Sequence, residues 1–344
     1  MFGILRYLLI QAVVINHLVS PDHYFNRTYF SAYAVFAYFL LSGFLIAKVL
    51  HEKYGHTVKG TLKFWKRRLI RIYPTYIVVA LLSIIVLLII PVDFTAHYNE
   101  SFRLPESVSE WLPNIFIIGL AGWGEVMPSR LVHPAWFLSV ILVLYLLAPV
   151  LFKNKKITSI WLMISFLYVA IVLSLRVGFY YKYVFYLAGS FPFTVGAIIY
   201  WYFDEIKYYF RPSSLYFTAP LFVLFGFFSE QVLTFFIKGH SWWHDLRYTA
   251  SYISIVLSAP VIIGLAQVNI KKIKNWVKKL DKILGGMSYA IFLSHVALGA
   301  PFAWLLYNSE TPDNYNLYLV SFIFINIVSL LIYWLVDRRL EKTR

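Results

Sequence analysis

The chain is 344 residues long, with 60% hydrophobic and only 14% charged residues, and it carries a formal net charge of +15 at pH 7. A soluble domain is closer to half apolar and a quarter charged, so this composition excludes an ordinary water-soluble fold and predicts that the solvent is lipid. The sequence contains no cysteine, which excludes disulfides, thiolate metal sites and a cysteine acyl-enzyme.

Apolar runs long enough to cross a bilayer recur along the chain, separated by short polar joints. They predict an all-α, polytopic integral membrane bundle of about ten transmembrane helices, formed by a single domain over residues 1–344. The first run has no small-residue cleavage site and is expected to stay as a helix. The stretch 111–121 is too short to cross and is expected to lie in the interface or dip into the protein. The predicted spans are residues 3–20, 29–50, 72–91, 136–153, 157–175, 184–203, 214–229, 248–267, 284–307 and 315–336.

The distribution of positive charge predicts the orientation of these helices. With the N-terminus inside, 23 of the 31 Lys and Arg residues fall in or beside cytoplasmic joints and seven in external ones. Membrane proteins collect basic residues on the cytoplasmic side, so this bias places both termini in the cytoplasm. The same bias accounts for the net charge without a nucleic-acid partner.

Ionisable residues are scarce inside the predicted spans. All sixteen Asp and Glu residues fall outside them, and the ionisable residues well inside the spans are Arg6 and His17 in the first and His295 in the ninth. Such groups are costly in hydrocarbon and often mark function, and histidine can act as a general base near neutral pH. Arg6 and His17 share one helix face and are roughly 16–17 Å apart along its axis. They indicate either a catalytic site or a headgroup-seeking arginine with a histidine that hydrogen-bonds between helices.

A second basic cluster runs from Lys66 to Arg71, just before the predicted third span. Arg68 and Arg71 are three residues apart, hence neighbours on a helix, and Pro74 is suited to a first helical turn. Two interpretations are open for the cluster: anchoring at the cytoplasmic surface, or a paired arginine site for phosphate. His133 lies outside near the fourth span and is interpreted as incidental, and no cluster has metal-ligand spacing.

Five segments, in order along the chain, resemble the membrane-bound acyltransferase-3 family, which includes O-acetyltransferases of bacterial surface polysaccharides. They are Leu5-Arg6 with His17, residues 38–46 (YFLLSGFLI), residues 64–74 (FWKRRLIRIYP), residues 136–140 (WFLSV) with 145–149 (YLLAP), and residues 284–289 (LGGMSY) with 293–295 (LSH). The chain departs from the family pattern at two places. Ile141 and Leu142 stand where an acidic residue usually follows Ser-Val, and Phe36 stands where many members have Asp.

The resemblance implies an acyl-CoA-dependent O-acyltransferase of the bacterial cytoplasmic (inner) membrane. Such an enzyme transfers an acyl group to a hydroxyl of an envelope carbohydrate or similar acceptor, and the expected acyl group is acetyl. His17 would be the general base, and Arg6, Arg68 and Arg71 would bind the acyl-CoA donor. Acyl-CoA is a co-substrate, so no bound cofactor or metal is expected; the expected partners are membrane lipid, acyl-CoA and a saccharide or glycan. Residues that would line a cavity or polar network, with packing as the alternative, are Asn16, Ser42, Trp136, Ser139, Tyr289 and His295.

Two other functions stay open. One is a lipid-linked saccharide or small-molecule transporter, a class that commonly shows internal repeats and broken helices, neither of which is visible in the sequence. The other is a polysaccharide polymerase or a catalytically inactive polysaccharide-assembly partner, which the missing acidic residue keeps under consideration.

Overall fold

The computed structural model describes residues 1–18, 29–122, 128–175, 177–237, 246–307 and 316–341, and every regular element within them is helical. The main helices are α1 (Gly3–Leu18), α2 (Phe30–Val49), α3 (Val58–Ile89), α4 (Val92–Tyr98), α5 (Val108–Phe116), α6 (Ala135–Leu151), α7 (Lys155–Ser174), α8 (Tyr186–Trp201), α9 (Leu215–Ile237), α10 (Ile253–Ala266), α11 (Asn275–Tyr307) and α12 (Asn316–Ile332). π-helical turns follow α2 (Leu50–Tyr54) and α12 (Tyr333–Asp337) and precede α8 (Tyr180–Val184), and shorter helical turns cover Phe203–Ile206, Pro212–Ser214, Leu246–Ala250, Ile270–Lys272 and Arg338–Glu341.

Eight helical stretches of the described chain are long and apolar enough to cross a membrane. The other two predicted spans correspond to α1 and α6, which are apolar but only 16 and 17 residues long. The protein is therefore an integral, multi-pass, all-helical membrane protein, while the count of ten spans and the side of the termini stay predictions. Helix α5 has nine residues, which confirms that this apolar stretch is too short to cross.

Two helices extend well beyond the apolar runs that predicted them. α3 has 32 residues and α11 has 33, so each is about 48–50 Å long against a hydrocarbon thickness of about 30 Å. The predicted joints 51–71 and 268–283 are therefore helical over most of their length, as extensions of the spans that follow them. Their basic residues continue the helix, because Lys is a good helix former and hydropathy marks where a helix enters lipid, not where it begins. Pro74 consequently lies in the middle of α3 and not in a first turn.

The chain forms two compact units, and unit 1 comprises Met1–Phe2, Thr28–Trp65 and Val143–Lys278. Within it, α2 and α8 cross with their backbones in contact. A Cβ added at Gly43 would overlap the carbonyl oxygen of Phe193, and one added at Gly196 would overlap that of Leu40. Only glycine permits this approach, so the Ser-Gly-Phe-Leu segment of α2 serves helix packing at Gly43.

Unit 2 comprises Gly3–Arg27, Lys66–Leu142 and Lys279–Arg344. At its start, the backbone N–H of Ile4 donates to Asp281 at 2.9 Å, which ties α1 to α11. Asp337, predicted to begin a cytoplasmic tail, instead lies in a helical turn continuous with α12; it is 7% exposed and accepts a 2.9 Å hydrogen bond from the Thr75 hydroxyl. The sequence missed this buried carboxylate because the apolar run of α12 ends before it.

The described residues between α3 and α6, 90–122 and 128–134, form a cap that belongs to unit 2. The Asn114 side chain donates to the carbonyl of Ser129 at 2.8 Å and accepts from the backbone N–H of Leu131 at 2.9 Å. Arg103 forms a two-pronged ion pair with Glu110. These bonds replace the regular hydrogen bonding that a loop lacks, so the cap holds a defined conformation beside α6.

Candidate active site: a cluster of three histidines

The three histidines of unit 2 that the sequence analysis named lie together. The His17 ring packs edge-to-face against His133, with ring centroids 5.2 Å apart, and against His295, with centroids 5.1 Å apart. His17 comes from the last turn of α1, His133 from the turn before α6, and His295 from the middle of α11. His17 and His295, predicted as possible members of one polar network, are thus in contact, and His133, which was interpreted as incidental, also lies against His17.

His133 is held in one tautomer by Asn99 and Ser101. The backbone N–H and the hydroxyl of Ser101 both face the same Asn99 atom, at 3.2 and 3.0 Å. A backbone N–H can only donate, so that atom is the amide oxygen, and the Asn99 NH₂ donates to Nε2 of His133 at 3.3 Å. Nδ1 therefore carries the proton and donates to the Ser101 hydroxyl at 2.9 Å. Both ring nitrogens of His133 are thus engaged in a closed network.

The surroundings of His133 also keep this ring neutral. Burial lowers the pKa of His133 well below its ordinary value, and the positive charges that His17, Arg130 and His295 can carry lower it further. Arg130 is itself 3% exposed and donates from Nε to the carbonyl of Leu120 at 2.8 Å. His133 is therefore a fixed, neutral neighbour of His17.

His295 is fully buried and is also fixed in one tautomer. Its Nδ1 lies 3.1 Å from the carbonyl oxygen of Ile291 and 2.9 Å from that of Phe292. A carbonyl oxygen only accepts, so Nδ1 bears the proton and the neutral ring presents a lone pair at Nε2. Within the described chain this Nε2 is buried and has no hydrogen-bond partner. The cluster therefore contains one enclosed nitrogen that can still accept a proton or a hydrogen bond.

The three candidate donor-binding arginines all lie in unit 2. Arg6 is on α1 and Arg68 on α3, each partly exposed with its Nε enclosed, whereas the Arg71 side chain is exposed. The Tyr289 hydroxyl donates to the carbonyl of Ile72 at 2.9 Å, which links α11 to the backbone next to Arg71. Tyr289 is therefore engaged in positioning the segment that carries the arginine pair.

The remaining candidates have mainly packing or positioning contacts. Ser139 is fully buried and accepts from the backbone N–H of Gly119 at 3.0 Å, so it anchors the cap to α6. Trp136 packs edge-to-face on its neighbour Phe137. Asn16 is partly exposed beside His17. Ser42 lies next to the close-packed Gly43 in unit 1, whereas the cluster of His17, His133 and His295 lies in unit 2.

The two departures from the family pattern are occupied by packed apolar side chains. Ile141 and Leu142 are each 3% exposed in α6. Phe36 is fully buried in unit 1 and stacks on Tyr183, with ring centroids 5.6 Å apart. These positions therefore contribute packing where an acidic side chain is usual. Among the residues described, no group of three or more His, Asp or Glu side chains could hold a metal ion, which agrees with the engagement of both His133 nitrogens.

The fold and the cluster define a class: an integral multi-pass membrane protein with interacting imidazoles in one of its two units. A family model described as an acyltransferase domain (Acyl_transf_3) matches residues 2–338. The chain therefore belongs to the acyltransferase-3 family and is a membrane acyltransferase. Searches of curated proteins and of solved structures found no significant match.

Proposed function

We propose that the protein is an O-acyltransferase of the bacterial cytoplasmic membrane. It transfers an acyl group, with acetyl as the main candidate, from cytoplasmic acyl-CoA to a hydroxyl of an envelope carbohydrate or similar acceptor. The observation that carries the proposal is the position of His17 between a fixed, neutral His133 and a His295 with an open Nε2. Family membership accounts for acyl transfer, and this cluster supplies a base for it.

In this mechanism His17 removes the proton of the acceptor hydroxyl as its oxygen attacks the thioester carbonyl carbon. The tetrahedral intermediate collapses with cleavage of the carbon–sulfur bond, and the proton passes from His17 to the thiolate. The products are the acylated acceptor and free CoA. Apolar surroundings favour transfer over hydrolysis, because they limit the water that competes with the acceptor.

Donor binding is assigned to the arginines of the same unit. The phosphates of CoA are multiply charged, and guanidinium groups bind them through short, charge-assisted and often bidentate hydrogen bonds. Arg68 and Arg71 present such groups from α3, and Arg6 presents another from α1. The bond from Tyr289 to the Ile72 carbonyl steadies the backbone between the arginine pair and the rest of α3.

The test is acyl transfer by purified protein in nanodiscs, with labelled acetyl-CoA and an envelope glycan fraction. His17→Gln is expected to lower kcat by about 10²–10⁴-fold, the usual contribution of a general base, with little change in the KM for acetyl-CoA. His56→Gln is the matched control, because His56 is also a partly exposed histidine. It bonds to the carbonyl of Pro149 at 3.0 Å and lies in unit 1. It is expected to keep wild-type turnover.

Two outcomes would contradict the proposal. Full turnover in His17→Gln would remove the general-base role. Saccharide uptake by proteoliposomes that contain no acyl-CoA, together with no ester formation when it is added, would favour the transporter. A positive result in cells would be base-labile esters on an envelope glycan, whose mass gives the acyl group.

A further inference from the structure

The Nε2 atom of His295 takes no part in the proposed acyl transfer. Its side chain is fully buried, and within the described residues this nitrogen accepts no hydrogen bond. Burying a polar atom without a hydrogen bond is unfavourable, so its presence calls for a physical reason. A functional reason is that the lone pair can accept a hydrogen bond from a neighbouring group and stabilise that group when it becomes positively charged.

His17 is the neighbour that can use this lone pair. Its ring lies edge-to-face with His295 at a centroid distance of 5.1 Å, so a rotation of the His17 side chain brings one of its N–H groups towards Nε2. His133, the other ring in contact with His17, cannot accept such a hydrogen bond. Its Nε2 already accepts from Asn99, and its Nδ1 proton is donated to Ser101.

We propose that His295 is the positioning residue of His17, and this inference rests on the proposed general-base role. When His17 removes the hydroxyl proton, it becomes an imidazolium with protons on both nitrogens. One of these N–H groups donates to Nε2 of His295, which spreads the positive charge over two rings. The other proton leaves for the CoA thiolate when the carbon–sulfur bond breaks. No further reactant is needed, and His295 itself returns unchanged.

The fixed tautomer of His295 makes this pairing specific. Because Ile291 and Phe292 hold the Nδ1 proton through their carbonyls, Nε2 faces the cluster only as an acceptor. Two ionisable side chains of the described residues lie beside the other members of the cluster. Arg130 repels positive charge at His133, and the Tyr98 hydroxyl donates to the carbonyl of Val296 at 3.4 Å. An imidazolium at His17 therefore has an acceptor beside it in the His295 lone pair.

The test compares His295→Leu and His295→Gln with wild type and with Ser294→Ala. The leucine variant is expected to lose about 10- to 100-fold in kcat, less than a missing general base, while its KM for acetyl-CoA stays within about 2-fold. In a plot of kcat/KM against pH, the acid limb of this variant is expected to move to lower pH. The reason is that the protonated form of His17 has lost the hydrogen-bond acceptor, Nε2 of His295, that stabilised it. Glutamine can offer an amide oxygen near the place of Nε2 and is expected to recover most of kcat.

Ser294→Ala controls for altered packing of α11. Ser294 is the buried neighbour of His295 and bonds to the hydroxyl of Ser329 at 3.2 Å. Its substitution is expected to leave the acid limb in place. If His295→Leu lowers kcat but also leaves that limb in place, His295 has only a structural role and the inference is overturned.

A measurement without turnover separates this inference from the proposed function. Nuclear magnetic resonance of ¹⁵N-histidine-labelled protein is expected to show a lower titration midpoint for His17 in His295→Leu than in wild type. If wild type transfers no acyl group, the proposed function fails and this midpoint alone decides the pairing. If His17→Gln abolishes transfer but His295→Leu changes neither the titration midpoint of His17 nor the acid limb of the pH–rate profile, the inference alone fails.

Discussion

The neutral state of His133 makes the stability of unit 2 depend on pH. Its pKa lies well below the ordinary value because of burial first and of neighbouring positive charge second, whereas a histidine in the unfolded chain titrates near about 6.5. Between these values only the unfolded chain binds the proton. This contribution to stability is therefore complete above about pH 6.5 and is lost as the pH falls from there towards the folded-state value.

His133→Gln removes this titration. At pH 8 the apparent melting temperature of this variant is expected to lie below that of wild type, because the contact between the His133 ring and His17 is lost. Between pH 8 and pH 5.5 its melting temperature is expected to decrease by about 2–4 °C less than that of wild type. Asn114→Ala is the control, since it loosens the same cap at its bonds to Ser129 and Leu131 without removing a titrating group. Parallel pH curves for wild type and His133→Gln would contradict the account.

At the scale of single residues, the sequence predicted only part of the cluster. His17 and His295 were identifiable because an ionisable group in an apolar run is conspicuous. His133 was not, because the partners that define it, Asn99 and Ser101, lie in a cap without helical or strand periodicity. No spacing rule links these three positions, and only the folded cap brings them together.

At the scale of elements, α3 combines an apolar part and a basic part. Pro74 lies between them and lacks the N–H that would bond one turn back. Side chains from other elements bind at this point: Tyr289 donates to the carbonyl of Ile72, and Thr75 donates to Asp337. The orientation of the basic part is therefore set by tertiary contacts as well as by the helix.

Two substitutions on α3 would distinguish a donor site from simple surface anchoring. Arg68→Ala is expected to raise the KM for acetyl-CoA by about 10- to 100-fold, as the loss of one charge-assisted hydrogen bond would, with a smaller effect on kcat. Lys63→Ala is the control, because Lys63 is an exposed cation on the same helix. Equal effects of the two substitutions, or poor membrane insertion of both, would indicate anchoring.

Hydropathy predicted the positions of the helices better than their ends. It placed each apolar run correctly in the order of the chain, but it could not show that Lys59 to Arg71 continues α3 or that α2 and α8 touch at Gly43 and Gly196. Helix continuation depends on backbone hydrogen bonds that polar residues also form, and close crossing depends on a partner helix far away in sequence.

At the scale of the whole molecule, the orientation in the membrane depends on whether α6 crosses the bilayer, because it is one of the two apolar helices that are too short to count among the eight spanning stretches. α6 has 17 residues, or about 25 Å, so it crosses a hydrocarbon layer of about 30 Å only if the bilayer thins locally or flanking polar groups reach to the interface. If α6 crosses, the cap and the Lys155–Lys156 segment lie on opposite sides. If it does not, they lie on the same side, and the orientation inferred from the basic residues cannot hold for the whole chain.

The lack of native cysteine makes this directly measurable with single-cysteine variants and a membrane-impermeant maleimide. Glu106→Cys, at a cap side chain that is 84% exposed, is expected to react in spheroplasts. Lys63→Cys and Lys156→Cys, both at exposed positions, are expected to react only after the membrane is permeabilised, because basic segments stay in the cytoplasm. Labelling of Lys156→Cys together with Glu106→Cys in spheroplasts would show that α6 does not cross.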